Sequence, residues 1–129
     1  MTKKKIIKTT RAPSPTAPLS QATRFGNLVF VSGSAGRHPD TGQYPEGGIK
    51  EQTKQTLENI KAVLEEAGTS LDNVLKVTAF LKDLDDRPGF NEVYSSYFPA
   101  DQPARTALGA GALGEGMLVE IEAIACIPD

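Results

Sequence analysis

The sequence predicts a single α+β domain over residues 1–129, with two helices laid on one face of a sheet of four or five strands. Three observations predict it. Stretches with apolar residues at every second position alternate with stretches where they recur every three or four. Clusters of Gly, Pro, Asp and Asn separate these stretches. The length, 129 residues, suits one modest core.

The elements follow in order. Residues 12–18, APSPTAP, carry three prolines and read as an extended loop. Residues 27–33, NLVFVSG, are a β-branched and aromatic run that stops at glycine, which predicts a strand. Residues 38–48, HPDTGQYPEGG, are dense in turn formers and predict a loop. From Ile49 to Ala67 the period changes. Ile49, Thr53, Thr56, Leu57, Ile60, Val63, Leu64 and Ala67 fall at helical steps, and Gly68 is a natural stop. Residues 74–82 predict a strand with Leu75, Val77, Ala79 and Leu81 on one side. In the second helix Asp85 or Asp86 serves as cap and Pro88 occupies the first turn. Its apolar stripe is Phe90, Val93, Tyr94, Tyr97 and Phe98, and Pro99 ends it. Residues 117–127 alternate strictly through Met117, Val119, Ile121, Ala123, Ala125 and Ile127, a closing strand.

Two helices cover one face of such a sheet. The other face should be polar, yet it carries Leu28, Phe30, Phe80, Leu118, Ile124 and Cys126. An apolar face with no helix left to cover it implies another chain.

Composition excludes some functions. No apolar run approaches the roughly 18 residues that span a bilayer, so no membrane role is expected. The net charge of −2 argues against nucleic acid as the main partner. Any RNA binding is expected to be non-specific, through Lys3 to Lys8 and Arg11. The charge is unevenly spread: residues 1–39 carry Lys3, Lys4, Lys5, Lys8, Arg11, Arg24 and Arg37, and all 16 acidic residues follow. Such a front end fits either an organellar transit peptide or a first strand with a basic loop. The single cysteine, Cys126, forms no internal disulfide, and a reducing cytoplasm is the simplest setting. Alternation buries Cys126 as packing. One His, His38, and one Cys cannot build a zinc site.

Residues 109–114, GAGALG, spell the G-x-G-x-x-G of dinucleotide-binding loops. That function needs a helix opening at the third glycine, whose N-terminal amides hold the pyrophosphate. A strand follows here instead, so the stretch reads as a glycine-rich connection between strands.

Several stretches together resemble one family over nearly the whole chain. APLSQATRFGNLVFVSG is similar to the start of the RidA/YjgF family, the imine and enamine deaminases also called the endoribonuclease L-PSP family. GGIKEQTKQTLENIKAVLEEAG and VLKVTAFLKDLDD resemble its first helix and following strand. FNEVYSSYF, PARTAL and LVEIEAIA resemble its second helix, arginine strand and closing strand. The resemblance places the basic front end in the family's first hairpin. It implies a chorismate-mutase-like, YjgF-type fold assembled as a homotrimeric barrel, with sites between subunits. It also implies hydrolysis of 2-imino acids and enamines to 2-keto acids and ammonia, with no metal or organic cofactor.

The resemblance assigns roles to individual residues. Arg105 matches the arginine that holds the substrate carboxylate, a task suited to a planar guanidinium. Glu120 matches the residue that positions water on the imine carbon. Read alone, Glu120 is a glutamate on the sheet face opposite the core, and Glu122 on that same face is its control. Ser32 and Gly33 stand at the substrate-contacting SG, and glycine permits close backbone approach. Asn91 matches an asparagine of the second helix, and Phe90 beside it reads as core. Two positions depart from the pattern: Leu19 stands where many members have tyrosine, and Ala107 where many have cysteine. Both make the pocket less polar. The competing readings are a trimer that binds small carboxylates or acts as a chaperone without turnover, and a ribonuclease or translation inhibitor.

Overall fold

The computed structural model describes residues 3–129. Six strands form one mixed sheet: β1 (Lys5–Ile7), β2 (Ala22–Phe25), β3 (Leu28–Ser34), β4 (Val74–Leu81), β5 (Ala104–Gly109) and β6 (Val119–Cys126). Two helices, α1 (Ile49–Glu66) and α2 (Arg87–Tyr97), link β3 to β4 and β4 to β5. The spatial order is β1-β2-β3-β6-β4-β5, with β4 and β5 parallel and every other pair antiparallel. The last strand therefore inserts between β3 and β4 and completes the sheet.

The basic front end forms a strand, β1, paired along β2 in the domain's sheet. The β2–β3 turn is two residues long, and Gly26 supplies the left-handed first position, φ 62°. At the end of α1 the Gly68 amide reaches Glu65 O and the Thr69 amide reaches Leu64 O, a Schellman stop.

The core lies between one sheet face and the two helices. Val29, Val31, Val77, Ala79, Leu81, Val119, Ile121, Ala123 and Ala125 meet Leu57, Ile60, Leu64, Phe90, Tyr94 and Phe98. The opposite face has no helix: Phe30 is 42% exposed and Leu28 38% exposed, and Phe80, Leu118, Ile124 and Cys126 are half-buried. Cys126 is thus a residue of the bare face and not a buried packing group.

The sheet has six strands where the sequence predicts four or five, and two further expectations need correction. Leu75 is exposed and off the core face. Val74 pairs with Ala125 and Lys76 with Ile124, so Leu75 is an extra bulged residue and Val74 takes the buried position. Neither Asp85 nor Asp86 caps α2 through its side chain. Asp83 accepts from the Asp85 amide at 2.9 Å and caps a 3₁₀ turn, Leu84–Asp86, that leads into the helix. The glycine-rich stretch joins β5 to β6, as the strand after it predicts.

Candidate functional site

Arg105 sits on β5, an edge strand, in register with Val77 of β4. Residues in register share a sheet face, so its side chain leaves on the helix side. There Nη1 donates to Asn91 Oδ1 of α2 at 2.7 Å. The guanidinium lies 4.8 Å from the Tyr94 ring centre and 5.5 Å from that of Phe90. These rings are one helical turn apart on α2, which places them side by side under the cation. Arg105 itself is exposed, and among the described residues no carboxylate pairs with it. A guanidinium has five N–H donors, so most of its fork stays available for an external carboxylate. Ala107, two residues on along the same face, is half-buried against the core beside Ala79.

Tyr94 is the residue that sequence reasoning placed only in a core stripe. Its ring is core, but its hydroxyl is buried with no hydrogen-bond partner. Burial pushes its phenol upward, and the Arg105 charge opposes this in part. Tyr94 therefore stays a neutral phenol beside a fixed cation. Its helical spacing from Phe90 and Asn91 was the available signal.

Glu120 lies on the opposite side of the sheet. It is in register with Phe80 on the bare face, half-buried, two strands from Arg105. Its carboxylate rests on Gly33: a Cβ built on that glycine would lie 2.5 Å from Oε2 and 3.1 Å from Cδ. The register explains why Gly33 is there. Val31 pairs with Ala123 and Ser34 with Ile121, three steps against two, so β3 bulges at residues 32–33. Only a residue without a side chain leaves room for the carboxylate.

Ser32 is held inside this bulge. Its hydroxyl donates to Ser20 O at 2.5 Å, its amide donates to Gln21 O, and its carbonyl accepts from Ser34 Oγ at 2.9 Å. Leu19 is 51% exposed. Leu19, Ser32 and Gly33 line an open groove of about 730 Å³, walled by the proline loop on one side and residues 37–42 on the other.

The predicted residues thus fall into two groups in one chain. Arg105, Asn91 and Ala107 gather on the helix side of the β5 edge. Ser32, Gly33, Glu120 and Leu19 gather at the β3 bulge. Arg105 and Glu120 are on opposite sheet faces, so one chain does not present both to one small molecule.

The endoribonuclease L-PSP family model matches residues 9–127. The chain belongs to the RidA/YjgF (endoribonuclease L-PSP) family. A RutC family protein of Pyrococcus abyssi is 52% identical to this RidA/YjgF chain over 122 residues, 95% of it and 96% of the relative. The 2-iminobutanoate/2-iminopropanoate deaminase of Mus musculus is 43% identical, covering 95% and 90%. Among solved structures, RidA from the Antarctic bacterium Psychrobacter superposes with TM-score 0.92 at 42% identity, covering 95% and 99%. Escherichia coli TdcF with bound serine gives 0.89 at 38% identity, covering 95% and 98%. The family's fold is the one described above. No helix among the described residues is long and apolar enough to cross a membrane.

Proposed function

We propose that this chain hydrolyses small 2-imino acids and their enamine tautomers to 2-keto acids and ammonia, in clefts between the subunits of a homotrimer. The observation that carries this reading is Arg105: a guanidinium fixed by Asn91 and two rings, with no carboxylate partner among the described residues. Such a group binds an α-carboxylate bidentately and orients the planar imine attached to it. Relatives named as 2-iminobutanoate/2-iminopropanoate deaminases, at 39–43% identity, support the reaction class.

Glu120 supplies the other half from a neighbouring subunit. Its carboxylate accepts a proton from water as the oxygen adds to the imine carbon, giving a carbinolamine. That proton passes to the imine nitrogen, a second moves from the carbinolamine hydroxyl to the amine, the C–N bond breaks, ammonia leaves and the carbon becomes a carbonyl. Ser32 and Gly33 line the bulge beside this carboxylate, and Leu19 and Ala107 line the apolar part of the pocket. The bare apolar face motivates the trimer, and the separation of Arg105 from Glu120 on opposite faces motivates shared sites.

The test is keto-acid formation from 2-iminobutanoate generated in situ. Wild type should turn over. Arg105→Ala should lose most of kcat/KM. Glu120→Gln should lower mainly kcat, and Glu122→Gln should do much less. A wild type that binds pyruvate through Arg105 without turnover would replace the enzyme by a carboxylate-binding protein.

A further inference from the structure

We propose that Gln52 and Asn59, two buried amides on α1, are positioning residues that fix Gly33 beneath the Glu120 carboxylate. The inference rests on the imine-hydrolysis reading of that carboxylate. The two amides stand seven residues apart, two helical turns, and so project from one face. They are 5% and 3% exposed, in a buried face shared with Thr53, Thr56, Leu57, Ile60, Val63 and Leu64.

Gln52 holds the Glu120 side. Its Nε2 donates to Gly116 O at 2.9 Å, and its Oε1 accepts from the Leu118 amide at 2.9 Å. One side chain thus offers the paired donor and acceptor that a neighbouring strand would offer. This bond pair ends the glycine-rich connection at Leu118, just before β6 starts and two residues before Glu120. Asn59 holds the Gly33 side. Its Nδ2 donates to Ala35 O at 3.0 Å and Arg37 O at 2.9 Å, and its oxygen accepts from Gln55 at 2.9 Å. Between these anchors Gly36 lies flat on α1: a Cβ there would sit 2.6 Å from Gln52 O.

Glu120 makes no side-chain hydrogen bond or ion pair of its own among the described residues. Its carboxylate is placed by where β6 starts and where the β3 bulge ends. Both placements come from α1, through bonds linking residues 22 to 66 positions apart. Losing either amide leaves backbone groups unpaired and lets one segment move relative to the other.

The experiment uses full-length Gln52→Met and Asn59→Leu, with Leu57→Ala as a matched loss of α1 packing. Melting temperature, kcat on 2-iminobutanoate, pyruvate Kd and amide hydrogen exchange are read on each. The two amide variants should lose kcat by about tenfold or more, as a misplaced catalytic group does. Their pyruvate Kd should stay within about twofold, because Arg105 lies on the other face. Exchange at Gly33 and Leu118 should quicken. Leu57→Ala should lower the melting temperature and leave kcat within about twofold. Unchanged kcat in the amide variants, a Kd that weakens in step with kcat, or an equal kcat loss in Leu57→Ala overturns the inference. Should Gln52→Met not fold, Gln52→Glu replaces it, keeping the acceptor for Leu118 and losing the donor to Gly116. A wild type without turnover overturns the proposed function instead, and the exchange rates then decide this inference alone.

Discussion

Arg105 is exposed, yet its orientation is fixed by three neighbours on α2. That arrangement separates charge from geometry in its variants. Two charged hydrogen bonds to a carboxylate contribute about 3–6 kcal/mol at about 1.5–3 each. Arg105→Ala should therefore cost on the order of 10²–10⁴ in kcat/KM, with the melting temperature nearly unchanged. Arg105→Lys should recover little, since an ammonium lacks the planar fork. Steady-state kinetics with 2-iminobutanoate decides both. Gly33 tests the other half. Its φ is not left-handed, so alanine fits the backbone, but its Cβ meets the end of Glu120. That end is flexible and swings away at small cost. Gly33→Ala should thus lower kcat on the order of 10- to 100-fold with a small change in melting temperature. Equal loss of both stability and kcat would point to a folding defect.

At the scale of elements, α1 and α2 are tied at two points. Lys50 pairs with Glu92 at 2.5 Å, and the Tyr97 hydroxyl donates to Glu58 at 2.6 Å. The Tyr97 phenol is pushed well above its ordinary value, first by burial and then by the Glu58 carboxylate that accepts its proton. A raised phenol binds its proton more tightly in the folded chain. Its stabilisation is complete below the unfolded value of about 10 and is lost as pH climbs above it. Tyr97→Phe should melt lower at pH 7, by the loss of a bond of about 1 kcal/mol. It should also show a shallower fall in melting temperature between about pH 10 and 11.5. A fall as steep as wild type's would mean Tyr97 takes no part in the alkaline loss. The periodicity of α1 is legible in the sequence because the helix is long and strongly two-faced. The bulge at Leu75 is not, because one extra residue leaves the local pattern plausible on either side of it.

At the scale of the whole molecule, the bare sheet face motivates the proposed trimer. Ile124 lies at its centre, beside Phe30 and Lys76 in adjacent strands. Ile124→Lys adds a charge where the proposed trimer would bury it, beside the cation of Lys76. Sedimentation at micromolar concentration should find trimer for wild type and smaller species or unfolded chain for the variant. A folded, active wild-type monomer would contradict both the trimer and the shared site.

The sequence by itself determined the α+β class, both helices, the closing strand and the apolar second face, because each is written in the spacing of neighbouring residues. Family resemblance marked Arg105, Asn91, Gly33 and Glu120. Only the tertiary structure decided that these residues divide between two faces. The side on which Arg105 emerges follows from the pairing of β5 with β4. The contact between Gly33 and Glu120 follows from a bulge and from β6 entering between β3 and β4. Gln52 and Asn59 stood in plain sight as polar residues on an apolar helix face, but their partners lie up to 66 positions away. Such long-range pairings are set by the register of the completed sheet, which no local run of residues encodes.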